Sequence, residues 1–517
     1  MKKIFFFLSL SLCVNVNAQS LNDAMRYGQN SLEGSARYIA MGGAFGAVGG
    51  DFGAFDINPA GSSIFAFSEI AGSLNFISTT NAATYFNNTM EESGNDLGIG
   101  HLGAVFILND ETGGPWSKLS IGFNYNKTVN YDNNYSAEGN NPNRGLDDYF
   151  LFFAQGKRLD EISQFSDENF NQAYTNIGET DNLGYAAQQA LFGYEGYVIN
   201  PIPVGDSNDA TDPSIRAYQS NTQPGTQGYS HQYNRSTQGQ SKRYTVNISG
   251  VFQDRFYLGF NMNHFNIEYN EQIGFREFNY GSLSGIRELN FDNELITIGR
   301  GNSFQLGAIY KMSPKFRLGL SFESPTYYRL SDRVRQGLVS EVVDQNGAFT
   351  QTLDPAADGI DTFFPEYQYN SPGSIRGSLA YVYKDKAIFS LDYTVRNYQS
   401  AKFIPKDDVF FRSLNQQIEQ DFQANQILQM GGEYRLNPFL SLRAGYWTEN
   451  ASKVFTANTR EIISAGAGFN FGASNLDIAL QVRNAADAQA IFSNGLNDSI
   501  ALNRDDINLV FTYRVKL

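Results

Sequence analysis

Long runs of period-2 alternation constrain this chain more than any other feature. In DINLVFTYRVKL, Ile507, Leu509, Phe511, Tyr513, Val515 and Leu517 share one face, while Asn508, Thr512, Arg514 and Lys516 share the other, with Val510 as the exception. In RLGLSFES, Leu318, Leu320 and Phe322 oppose Arg317, Gly319, Ser321 and Glu323. In AIFSLDYTVR, Phe389, Leu391, Tyr393 and Val395 oppose Ser390, Asp392, Thr394 and Arg396. Successive side chains of a strand point to opposite faces, so each run is a strand with one apolar and one polar side. Strands of soluble sandwiches typically span ~5–6 residues. These runs reach roughly the 9–11 residues that a tilted strand needs to cross a bilayer.

About fourteen such segments follow from the alternation. They lie near 66–80, 97–109, 117–132, 241–252, 256–274, 294–311, 316–332, 369–384, 387–400, 422–436, 439–452, 459–472, 475–487 and 503–517. Tight links at 253–255, 313–315, 384–386, 437–438 and 472–474 alternate with longer ones at 81–96, 133–240, 333–368, 401–421, 453–458 and 488–502. Short turns on one rim and long loops on the other are the pattern of a bacterial outer-membrane barrel. The expected fold is therefore all-β, a transmembrane antiparallel β-barrel of about fourteen strands. The insertion at 133–240 is expected to be the largest extracellular loop, with short helices near 158–174 and 183–194.

The opening MKKIFFFLSLSLCVNVNAQS reads as a secretory leader over 1–18, with Lys2 and Lys3 before an apolar stretch and small residues at the cleavage position. Cys13, the only cysteine, falls inside it; Leu12 stands where a lipoprotein would carry a small residue. The mature chain is then expected to lack disulfides and thiolate metal sites. No apolar run long enough for a membrane helix follows. The net charge of -15 argues against a nucleic-acid partner, which would require a basic face.

Motifs that could carry chemistry are weak. Gly98-Ile99-Gly100-His101-Leu102-Gly103 matches G-x-G-x-x-G, but it lies within a strand pattern and not at a strand-to-helix turn, so glycines easing strand packing are expected. The three histidines, His101, His231 and His264, have no G-x-S-x-G beside them; GSLSG at 281–285 has the wrong spacing. His264 could face the lumen. A rim or lumen enzyme is a minor alternative, and no catalytic residue is assigned. Asp206, Asp209 and Asp212 lack the Gly and distal Glu of a calcium loop, so a solvated acidic loop is expected, with no metal and no cofactor. The polar strand faces place Arg317, Glu323, Arg376, Asp392, Arg396, Glu433, Arg443, Asp477, Arg483 and Arg514 in the lumen. There they would pair across the interior and hold a plug, or one or two arginines would meet an acidic head group.

Between leader and first strand lies 19–65, too short for a core of its own and dominated by Gly, Ala and Phe. It also carries Tyr38, Ile39, Met41, Phe45, Val48, Phe52, Phe55 and Ile57, more apolar surface than a linker needs. Asn58-Pro59 favours a turn. Such a segment suits the inside of a barrel, leaving 66–517 as the barrel itself.

GAVGGDFGAFDINPAG resembles the N-terminal hatch signature of the FadL-type outer-membrane transport proteins, and YKMSPKFRLGLSFESPTYY (310–328) is similar to their mid-barrel hairpin. GSARYIAMGGAFGAVGGD (34–51) looks like the version found in Bacteroidetes. The matching hatch positions are Gly46, Ala47, Asp51, Asn58, Pro59 and Ala60; Gly50 stands where the family often has a second acid, and Leu517 ends the chain where an aromatic residue is usual. The resemblance implies a fourteen-stranded barrel closed by the hatch. It also implies a hydrophobic, fatty-acid-like small molecule captured outside and released sideways through a gap in the wall. Asp51 would anchor the hatch to a lumen arginine. A monomer embedded in outer-membrane lipid is expected. The alternative within the same family is an accessory of type IX secretion that binds secreted proteins.

Overall fold

A computed structural model of the chain describes residues 20–29, 31–110, 113–180, 183–203, 209–450 and 459–517. The expected leader, Asp206 and the link at 453–458 lie outside the described residues. Fourteen antiparallel staves form a closed barrel. In order they are Glu69–Tyr85, Asn88–Asn109, Trp116–Asn130, Tyr229–Phe252, Phe256–Phe278, Ile286–Lys311, Phe316–Glu323 with its continuation Tyr327–Asp344, Ser374–Tyr383, Ala387–Asn397, Ala424–Arg435, Leu440–Glu449, Arg460–Asn470, Ser474–Ala490 and Ser499–Lys516. Closure runs between the first and last, from Glu69 opposite Lys516 to Thr84 opposite Ala501.

The alternation orients the wall as expected. Leu74, Phe76, Leu97, Phe123, Ile248, Phe260, Leu320, Phe389 and Phe511 are exposed on the outside, whereas Asn247, Asn261, Asp392, Asp477 and Thr512 are buried inside. Outward aromatic pairs mark the two edges of this apolar band. Phe256–Tyr310 (4.8 Å between centroids) and Phe316–Tyr381 (4.9 Å) sit near the tight turns, and Tyr125–Tyr244 (5.4 Å) sits at the upper edge. Aromatic girdles at both interfaces are usual for such barrels. No helix among the described residues is long and apolar enough to cross a membrane.

The staves outrun their sequence signal. Residues 81–96 form no long loop, because the first two strands continue to a hairpin turn at Phe86-Asn87, both at positive φ. Below the outward Leu97 and Ile99 in sequence, Glu91, Ser93 and Asn95 continue one face and Glu92, Gly94 and Asp96 the other, so the apolar–polar period fades while the ladder persists. The fourth and sixth staves likewise begin at Tyr229 and Ile286, earlier than expected, and much of 333–368 is strand.

The 133–240 insertion is also more ordered than a loop. Asn133–Asn141 extends the third stave along Tyr229–Phe252. Three helices follow, α1 (Asp147–Ala154), α2 (Phe170–Glu179) and α3 (Gly184–Glu195). The helix expected at 158–174 is displaced because Asn169 caps α2 from its side chain to the Gln172 amide, while Leu159–Glu161 forms only a single tight turn. The helix expected at 183–194 is α3. The helices build an aromatic cap on the barrel mouth, in which Phe150, Phe192, Phe291 and Phe492 pack together. A second cluster of tyrosines surrounds the N-terminal helical segment Leu21–Gly28, and a third joins the hatch to Trp447 and Val510.

Candidate functional site

The hatch is a chain of capped single turns. Asn58 caps the turn Pro59–Ile64, with Oδ1 accepting from the Ala60 amide at 3.1 Å and Pro59 in the first turn position, where no amide is required. Its Nδ2 donates to the Gly46 carbonyl at 2.7 Å and to the wall carbonyl of Ala308 at 3.1 Å. The Gly46 amide in turn donates to Asp392 Oδ2 at 2.8 Å, and Asn247 Nδ2 donates to the Pro59 carbonyl at 3.0 Å. Ala47 is buried in the apolar hatch cluster.

Two wall glycines make room for this backbone. A Cβ at Gly307 would lie 2.0 Å from Asn58 Oδ1, and one at Gly319 would lie 2.2 Å from the Gly46 carbonyl. No larger side chain fits either place unless the hatch moves.

Asp51 differs from expectation. It is fully buried but makes no ion pair among the described residues. Its carboxylate accepts from the Ser35 hydroxyl and from the Gly53 amide at 3.0 Å, so it caps the turn Phe52–Asp56. Both donors reach Oδ1 in the manner of a turn cap, while Oδ2 is buried without a hydrogen-bond partner among the described residues.

The lumen arginines are all engaged. Arg317 Nη1 donates to the Val48 carbonyl at 3.0 Å, and Arg396 Nη1 to the Gly28 carbonyl at 3.2 Å, with Glu323 at 3.7 Å from its Nη2. Arg376 faces Asp392 at 3.7 Å. Arg443 bridges Glu433 (2.6 Å) and Asp477 (2.7 Å); Arg37 of the hatch reaches Glu433 at 2.8 Å and Arg514 reaches Asp477 at 3.1 Å. Arg483 pairs with Asp506. Arg37 escaped sequence reasoning because nothing local marks it as facing a wall carboxylate.

The histidines fall apart in space. His101 bonds Asn124, and His231 lies between Tyr85 and Glu277 in the cap. His264 is exposed on the outer side and bonds Asn302, so it does not face the lumen. The stretch Gly98–Gly103 is strand throughout, and Gly100 is the residue skipped at a bulge between Ser73 opposite His101 and Leu74 opposite Ile99.

That bulge begins a long seam in the barrel wall. The second and third staves pair only from His101 opposite Asn126 to Asn109 opposite Lys118. Above this, Asn88–Gly100 pairs only with the first stave, and the extension Asn133–Asn141 pairs only with the fourth. Side chains alone cross between the edges. Lys127 Nζ meets Asp96 Oδ2 at 3.3 Å, Asn130 Nδ2 meets the same oxygen at 3.1 Å, and Ser136 donates to Glu92 at 3.2 Å. A cavity of about 780 Å³ opens there.

Hatch and seam meet at Glu33. Asn75 Nδ2 donates to its carboxylate at 3.1 Å. Burial pushes the Glu33 carboxyl up to about 7, against the pull of Lys127 and Arg483 and with the push of Asp506 and Asp96. An acid raised in the seated hatch favours seating while protonated. That contribution is complete below the ordinary value of 4.5 and is lost as pH rises through about 7. Protease access to the hatch is therefore expected to increase between about pH 5 and about pH 8, and Glu33→Gln to flatten that profile.

No protein-family model matches the sequence, and no curated protein does. Solved structures do. The P. putida toluene transporter TodX is 13% identical with a TM-score of 0.53, covering 94% of this chain and 99% of that one. A Pseudomonas aeruginosa FadL homologue is 11% identical with a TM-score of 0.54, covering 94% and 98%. At such identities the likeness is one of fold. The chain is a plugged outer-membrane-type β-barrel, and its fold is that of the FadL-type transport proteins.

Proposed function

We propose that the protein is an outer-membrane channel for passive uptake of hydrophobic small molecules, long-chain fatty acids or similar, embedded as a monomer in the outer membrane of a Gram-negative bacterium. The observation that carries this reading is the seam beside a filled lumen. The hatch closes the direct path, so a molecule entering from outside has an exit through the wall where no backbone ladder has to break. The seam opens just above Tyr125, at the upper edge of the apolar band, where a tail can pass straight into lipid. The aromatic cap and the tyrosine cluster offer apolar surface on the way in. The hatch turns at Asp51 and Asn58-Pro59-Ala60 would act as the gate. The names of the two structural neighbours, a toluene transporter and a FadL homologue, fit a hydrophobic cargo.

A thiol-reactive cross-linker between Glu92→Cys and Ser136→Cys tests the route. These positions face each other across the seam, and the chain's only cysteine, Cys13, is far away in sequence. Cross-linking is expected to abolish uptake of a fluorescent fatty acid, and cleaving the linker to restore it. Full uptake through the cross-linked protein would remove the lateral route.

A further inference from the structure

Resting on the channel reading, we propose that Lys127 is the selectivity residue of the seam, receiving the anionic head of an amphiphile in exchange for Asp96. The arginines first considered for this role are occupied by hatch carbonyls and wall carboxylates. Lys127 is placed differently. It lines the seam cavity, its side chain is only 6% exposed, and its partner Asp96 is 33% exposed on the other edge. The pair spans the two unladdered strands, so separating them to admit a molecule separates the ions as well. A buried ammonium left without its counter-ion is costly, and an incoming anion removes that cost.

The surroundings fit an amphiphile. Leu97, Ile99 and Tyr125 line the cavity where it meets the apolar band, whereas Asn130, Asn133 and Gln238 line it further up. A tail would lie along the first group with its head at Lys127, beside the second. Gly98 lies against Lys127: a Cβ there would touch Nζ at 3.6 Å, so its absence leaves that flank of the ammonium uncovered. An uncharged hydrocarbon could use the same apolar path but would leave the Asp96–Lys127 pair split and unpartnered. The seam thus discriminates by charge where the apolar path alone would discriminate by shape.

The test compares equilibrium binding of laurate and dodecanol, matched in chain length, to the full chain in lipid nanodiscs. The wild type is expected to bind both, laurate more tightly. Lys127→Met should weaken laurate by about tenfold or more, while dodecanol changes by less than about twofold. Lys127→Arg should keep the preference, and Asp96→Asn, which frees the ammonium, should strengthen laurate binding. Equal effects of Lys127→Met on both ligands, or no effect of Asp96→Asn on their ratio, would overturn the assignment while leaving the channel intact. Binding of neither ligand by the wild type would remove the channel reading and this assignment together.

Discussion

Deletion of residues 20–60 is expected to turn a closed barrel into an open pore, seen as an ohmic conductance at least about tenfold above that of the intact protein in planar bilayers. Most of the hatch is inaccessible to solvent and fills the lumen down to Phe65. Its removal strips partners from Asp392, Asn247, Asn261 and Arg317, which line the polar wall. Water can satisfy all of these groups, so the barrel persists and fills with water. If conductance is unchanged by the deletion, the hatch does not close the channel.

The second large effect concerns Arg443. It stands between Glu433 and Asp477 with its side chain 4% exposed, in a network that continues to Arg37 on one side and Arg514 on the other. Arg443→Met leaves two buried carboxylates with one cation each. Removing one member of a buried ion network costs roughly 3 kcal/mol or more, because the remaining charges stay desolvated. The unfolding midpoint in urea should fall accordingly. Trp447, one of two tryptophans, packs in the hatch cluster and should report the loosened seat by a change in fluorescence. An unchanged midpoint and spectrum would mean that the network carries little of the hatch's hold.

Much of this was legible in the sequence because it depends on period 2 alone. The C-terminal run, the strands around Leu320 and Leu391, and the tight turns near 254, 314 and 385 all lie where alternation places them, because lipid on one side and a polar lumen on the other impose strict contrast. The contrast disappears above the lipid. Strands through Glu91, Ser93 and Asn134 are polar on their outer face, so sequence alone made loops of what is sheet. The hatch was legible as a unit from its small residues, and Asn58 sits at the turn expected of Asn-Pro. What joins it to the wall was not, since Arg37–Glu433 and Asn58–Ala308 each link positions hundreds of residues apart. Asp51 shows the same limit: the hatch resemblance implied a lumen arginine as its anchor, and the fold places the Ser35 hydroxyl and the Gly53 amide at its carboxylate.

The seam has a mechanical consequence as well. Where a backbone ladder joins two staves, bending the wall means breaking hydrogen bonds in sequence. Between Asn88–Gly100 and Asn133–Asn141 only a few side-chain bridges resist, and these can part and re-form one at a time. Pulled or squeezed by its membrane, this barrel should yield along that line before its laddered staves part, as a rolled sheet yields at an unglued edge.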